Sequence, residues 1–190
     1  MKAILKTEAI VLGSIPLGEI HKIIYFLTPS DGILKGVAYG IKKSTNKFSS
    51  SMELLNRIEL TLNLSKNSDL HKIKEFYLIS SRQSLRDNKN AFGIIFYLGE
   101  FLIKFFTHSQ ANENVYSLID YYIEALIKSP YVIFRSLLIK ILHSQGFISE
   151  PGKCSNCGIE SEILHISERH GYIFCKNCTR PAFDTELKPG

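Results

Sequence analysis

The sequence has no cysteine before residue 154, no long uninterrupted apolar run, and none of the short motifs that carry hydrolytic or group-transfer chemistry. Its most apolar window, Ala91 to Thr107, is broken by Glu100 and Lys104 and is short for a membrane span. That i,i+4 charge pair suits a buried helix of a soluble protein. The N-terminus alternates apolar and polar residues from Ala3, the pattern of a strand rather than of an export signal, so a cytosolic location is expected. None of the six histidines stands in an H-x-E or H-E-x-x-H context, which argues against zinc deaminases and zinc proteases. There is no G-x-S-x-G elbow. Gly36 to Thr45 superficially resembles a phosphate loop, but its glycines are one residue too close and Gly40 is not followed by lysine. The reading is a binder, not an enzyme.

One sign of charge is also missing locally. Between Asp31 and Glu53 there is no acidic residue, and Lys35, Lys42, Lys43 and Lys47 all fall in that run. Residues 1–80 hold eleven Lys/Arg against seven Asp/Glu, whereas residues 81–150 and 151–190 are close to balanced, so most of the net +5 lies in the first block. A concentrated basic segment suggests a polyanionic partner; a solvated loop is the plainer alternative. Hydrophobic content of 45% is enough for packed cores.

Five short strands are expected in residues 1–80: Ala3–Leu12, His21–Leu27, Ile33–Tyr39, Arg57–Leu64 and Lys72–Ile79. Gly13–Gly18, with Pro16, reads as a connection. Thr28-Pro29-Ser30-Asp31-Gly32 reads as a tight turn. This count, with a long basic connection after the third strand, predicts an OB-type five-stranded β-barrel, with a small SH3-like barrel or sandwich fragment as alternatives. On the last strand, Ile73, Glu75, Tyr77 and Ile79 are assigned to one side. From residue 81 the period changes to helical. Helices are expected from Asn90 to Thr107, from a cap at Asn112 to Lys128, and from Pro130 to Gly146, forming a bundle with the phenylalanines in its core. The chain is thus an α+β multidomain protein: barrel 1–80, helical bundle 81–150, and a cysteine module with a short tail 151–190.

All four cysteines form two C-x-x-C pairs, Cys154/Cys157 and Cys175/Cys178, with seventeen residues between them. That spacing lets two knuckles face each other across a hairpin (Ile163–Ile166 and Tyr172–Phe174) and close a tetrahedral thiolate site. Structural Zn²⁺ fits four soft ligands with no open position; iron is an alternative, and disulfides or a thioredoxin-type redox pair are weaker ones. His165 and His170 are spare ligands. The tail after Thr179 has room for little more than one helical turn.

Thr7-Glu8-Ala9-Ile10-Val11-Leu12, Pro16-Leu17-Gly18-Glu19, Phe26-Leu27-Thr28-Pro29 and Val37-Ala38-Tyr39-Gly40-Ile41-Lys42-Lys43 with Lys47-Phe48 resemble, in order, the N-terminal domain of the RecO family. Cys154-x-x-Cys157-Gly158 and Gly171-x-x-x-Cys175-x-x-Cys178 resemble its zinc module. The resemblance implies a bacterial recombination mediator that binds single- and double-stranded DNA and anneals complementary strands. It implies help from RecR in loading RecA onto DNA coated by single-strand binding protein. The family's basic positions fall on Lys22, Lys42, Lys43 and Lys47; Lys35 joins them from the acid-free run, and Tyr25, Tyr39 and Phe48 are candidates for base stacking. Two features depart from the pattern. Tyr39 stands where many relatives carry lysine. The chain also ends twelve residues after Cys178, before the further helices that in relatives help to receive the tail of single-strand binding protein. An interaction adaptor and an RNA-binding OB–zinc protein are the competing functions.

Overall fold

A computed structural model describes residues 3–41, 49–106, 113–160, 164–167, 171–179 and 184–187. Lys42, Lys43, Lys47, Phe48, Asn112 and His170 lie outside the described residues. The chain divides into two compact units, Met1–Phe134 and Arg135–Gly190.

In the first unit, β1 (Ile4–Leu17), β2 (His21–Thr28), β3 (Gly32–Ala38), β4 (Arg57–Asn63) and β5 (Leu70–Ser80) form a closed barrel in the order β1-β2-β3-β5-β4. Every pairing is antiparallel except β3 with β5. This is the expected OB-type barrel. Ala9, Val11, Ile24, Phe26, Leu34, Ala38, Ile58, Leu60 and Leu62 fill it. Each large aliphatic or aromatic side chain buried here contributes about 1.5–3 kcal/mol toward the barrel's stability.

Register shifts in β1 and β5 redirect side chains. In β1 the register shifts between Val11 and Gly13, so Leu12 is the extra residue and both Val11 and Leu12 are buried. The strand then continues to Leu17, through the segment expected to be a connection. Pro16 is accommodated because β4 pairs with β1 only as far as Ile10, leaving the far part of β1 with β2 as its partner. In β5 the register shifts opposite Thr61/Leu62. Ile73 therefore packs on the core, but so does Phe76, while Glu75, Tyr77 and Ile79 are exposed; the single-sided assignment holds only up to the bulge. At the β2–β3 turn, expected from the sequence, the Thr28 hydroxyl donates to Gly32 O (2.9 Å) and accepts from Asp31 N–H (3.2 Å).

A short helix α1 (Gln83–Asp87), not anticipated from the sequence, precedes α2 (Lys89–Phe105) and α3 (Glu113–Ala125). Asn88 Oδ1 accepts the N–H groups of Asn90 and Ala91 and caps α2. The α2 face made by Ala91, Ile95, Leu98, Gly99 and Leu102 is buried, and α2 packs on β1. Phe92, Phe96 and Tyr97 fall on the other side and are exposed, a correction to the expectation that the phenylalanines are core. α4 (Pro130–Ser144) begins at the proline and ends before Gly146, whose φ of 76° is the left-handed stop that glycine allows.

In the second unit, β6 (Leu164–Ser167) pairs with β7 (Ile173–Cys175) as the expected hairpin, and β8 (Asp184–Leu187) adds to the other edge of β6. The tail thus supplies a strand where a helical turn was expected.

Candidate nucleic-acid interface and metal centre

β2 and β3 pair in register from Lys22↔Ala38 to Thr28↔Gly32, and alternation sends Ile24, Phe26, Leu34 and Ala38 into the core. Tyr25 and Lys35, directly opposite each other, therefore share the outward side. Lys35 Nζ lies 6.0 Å from the Tyr25 ring centroid. The same ammonium is 2.6 Å from Asp69 Oδ2, in the β4–β5 loop, and this hydrogen bond raises the lysine pKa. Lys35 is therefore a cation already engaged by a carboxylate.

One residue beyond the ladder, Tyr39 is 58% exposed. His21 meets it edge-on, with ring centroids 5.1 Å apart. The imidazole is held in place because its Nδ1 accepts the Gly40 N–H at 2.9 Å. The parallel closure Val37↔Lys72 brings β5 alongside, and Lys72 Nζ sits over the Tyr39 ring, 5.5 Å from its centroid. Sequence patterning missed His21 and Lys72. The signal was the barrel itself, since closing five strands in this order sets the start of β5 against the end of β3.

Lys22 and Tyr25 both border a groove of about 1210 Å³ beside α2, together with barrel-mouth residues Val11, Ile41 and Met52, and with Phe92, Phe96 and Tyr97 of α2. Ile41 is the last described residue before the segment that carries Lys42, Lys43, Lys47 and Phe48, and the description resumes at Ser49. The groove's acids are engaged: Glu53 by Arg86, Asp87 by Gln83, Glu100 by Lys104.

In the second unit the four cysteine sulfurs all lie within 4.8 Å of one another and could hold a metal ion. Each knuckle is set by backbone bonds: Gly158 N–H to Cys154 O at 2.9 Å, Cys178 N–H and Thr179 N–H to Cys175 O at 2.9 and 3.0 Å. Gly158 has the left-handed φ of 71° that its turn requires. Asn156 Nδ2 donates to Cys178 Sγ at 3.4 Å, the kind of outer contact that orients a ligand sulfur. Backbone hydrogen bonding at Cys175 pulls the Cys154 thiol down to about 6. For Cys157 the backbone of Ile159 also pulls down, but the Cys154 thiol, burial and the Cys175 and Cys178 sulfurs push it up to about 12. Sulfurs this close cannot all ionise without a cation, and a divalent ion replaces the protons they would otherwise share. The donor set and its crowding fit a metal. His165 sits on β6 opposite Phe174 and is not among the clustered ligands.

The described part of the chain contains no helix long and apolar enough to cross a membrane. A family model for Recombination protein O N terminal matches residues 1–82, and one for Recombination protein O C terminal matches residues 86–188. The DNA repair protein RecO of Thermodesulfovibrio yellowstonii is 32% identical over 178 residues, covering 91% of this chain and 69% of that protein. That of Dehalococcoides mccartyi strain BAV1 is 29% identical over 177 residues, with the same coverage of 91% and 69%. That of Thermoanaerobacter sp. strain X514 is 25% identical over 186 residues, covering 96% and 74%.

Proposed function

The chain belongs to the RecO family of DNA repair proteins, and from that premise we propose that it binds DNA through the barrel and anneals complementary strands without a nucleotide cofactor. The observation that carries this reading is the pairing of aromatic rings with lysine ammoniums along β2, β3 and β5: Tyr25 with Lys35, whose charge Asp69 shares, and Tyr39, just past β3, with Lys72. Rings offer stacking to any base, and lysines offer phosphate contacts that release counterions, so the pattern suits sequence-tolerant binding. Lys42, Lys43 and Lys47 add charge from the sequence segment that follows Ile41. By family resemblance, RecR, RecA and single-strand binding protein are the partners on DNA.

The salt dependence of oligonucleotide binding tests this. Each phosphate contact lowers the log–log slope by about 0.7 for a single strand. A slope of roughly −2 or steeper is expected, with DNA preferred over RNA of the same sequence. A flat dependence favours a protein-binding adaptor, for which the exposed Phe92, Phe96 and Tyr97 beside the groove are the supporting feature.

For the metal we propose structural Zn²⁺. A Zn–S bond of about 2.3 Å gives a tetrahedral edge of about 3.8 Å, and Cys157 Sγ and Cys175 Sγ are 3.7 Å apart. Cys175→Ser, or removal of zinc by a chelator, is expected to expose residues 150–190 to proteolysis while the unfolding transition of the barrel stays in place. Acid releases the metal too, because protons compete for the thiolates. Retention of protease resistance after demonstrated zinc loss would argue against a structural role.

A further inference from the structure

The described lysines on the outward side of the barrel differ in whether their charge is already engaged. Lys35 is held by Asp69. Lys72 has no carboxylate within ion-pair distance among the described residues, and its ammonium rests over the exposed ring of Tyr39. That ring is exposed but not without support. Ala38 before it is buried, and His21, fixed by the Gly40 N–H, presses on its side. An exposed aromatic ring with an unengaged cation beside it is complementary to one unit of a single strand, a flat apolar base joined to an anionic phosphate. In a duplex both faces of each base are covered by its stacked neighbours, so the ring has nothing to receive. The lysine stem is long and flexible, and its ammonium can leave the ring for a phosphate when a base arrives.

Resting on the DNA-binding reading above, we propose that Tyr39 and Lys72 form a nucleotide station that takes one unpaired base and its phosphate, and so makes the barrel select single-stranded over duplex DNA.

The chain has no tryptophan, so Tyr39→Trp places the only indole of the protein at the station. Its emission is expected to be quenched saturably by an all-thymidine oligonucleotide and to change little with a duplex of the same length. In the otherwise unaltered chain, Tyr39→Ala and Lys72→Ala are each expected to weaken binding of the single strand about tenfold, in the range measured for loss of one stacked base. Duplex binding should change by less than about twofold, because phosphate contacts elsewhere are untouched. Tyr39→Phe, which keeps the ring, should bind as wild type does. An unquenched indole in a protein that demonstrably binds the oligonucleotide overturns the station, as do equal losses on single strand and duplex. If the wild type binds no oligonucleotide at all, the DNA-binding reading fails first, and the station with it.

Discussion

Asp120→Ala is expected to lower the stability of the N-terminal unit by about 3 kcal/mol, near the lower end for breaking a buried ion pair from one side. Asp120, on α3, is the shared carboxylate between two arginines of the barrel side. Its Oδ2 accepts from Arg57 Nη1 at 3.0 Å and its Oδ1 from Arg82 Nη2 at 2.8 Å. The Arg82 side chain is only 4% exposed and Asp120 16%, so water cannot replace what the mutation removes. Arg57 keeps Glu8, and Arg82 keeps Ser80 and the exposed Glu124, which limits the loss. Removing the acid also leaves two guanidinium groups close together without the charge between them. Tyr116 adds a reporter: burial first, then Asp120, pushes its phenol well above the ordinary tyrosine range. In Asp120→Ala the phenol should ionise at lower pH, although burial keeps it raised. Urea unfolding should show the midpoint falling with an unchanged slope, and the thermal midpoint should drop by roughly 6–12 °C for a chain of this size. Asp120→Asn, which keeps an acceptor, should lose less. As a contrast, breaking the fully exposed Lys104–Glu100 pair should leave the unfolding midpoint where it is.

The second large effect is at Gly99, and it has an opposite-sign partner in the same helix. A Cβ at Gly99 would lie 2.3 Å from the backbone oxygen of Leu12 and 3.0 Å from Leu54 Cδ1. The oxygen belongs to the β1 bulge and cannot move alone, since the neighbouring Val11 is tied by its N–H to Asn56 O and by its O to Leu55 N–H. The helix must therefore back away from the strand. Gly99→Ala gains about 1 kcal/mol of helix propensity, but overpacking of this kind costs about 1–3 kcal/mol or more. With backbone as the obstacle, a net loss of about 2 kcal/mol is expected, and Gly99→Val should be worse. Gly93 has nothing within 4 Å of its Cβ position. Gly93→Ala should collect the propensity gain unopposed and stabilise by up to about 1 kcal/mol. Two Gly→Ala changes six residues apart in α2 that shift the midpoint the same way would refute the packing described for α2 on β1.

Local signals were legible from the residues and long-range ones were not. The two cysteine knuckles and their hairpin, the five strands, and the start of α4 at Pro130 all follow from neighbours in sequence. The β1 extension through Pro16 was hidden because proline and glycine usually mark loops; it depends on which strand is absent from one edge, a tertiary fact. The faces of β5 were misread because a bulge opposite Thr61/Leu62 resets the alternation, and an extra residue leaves no mark in composition. Lys72 looked like any strand lysine until barrel closure set it over Tyr39. Phe92 and Phe96 looked like core because α2 is apolar nearly all round, and periodicity cannot choose among several apolar faces.

The most direct test of the central claim is the annealing of complementary fluorescent oligonucleotides without nucleotide, at low and moderate salt. Wild type is compared with Lys42→Glu/Lys43→Glu/Lys47→Glu. The mediator account predicts fast annealing by the wild type, slowed by salt, and its loss in the triple variant while the variant remains folded. A folded, zinc-loaded wild type that leaves the strands unannealed at both salt concentrations would contradict it.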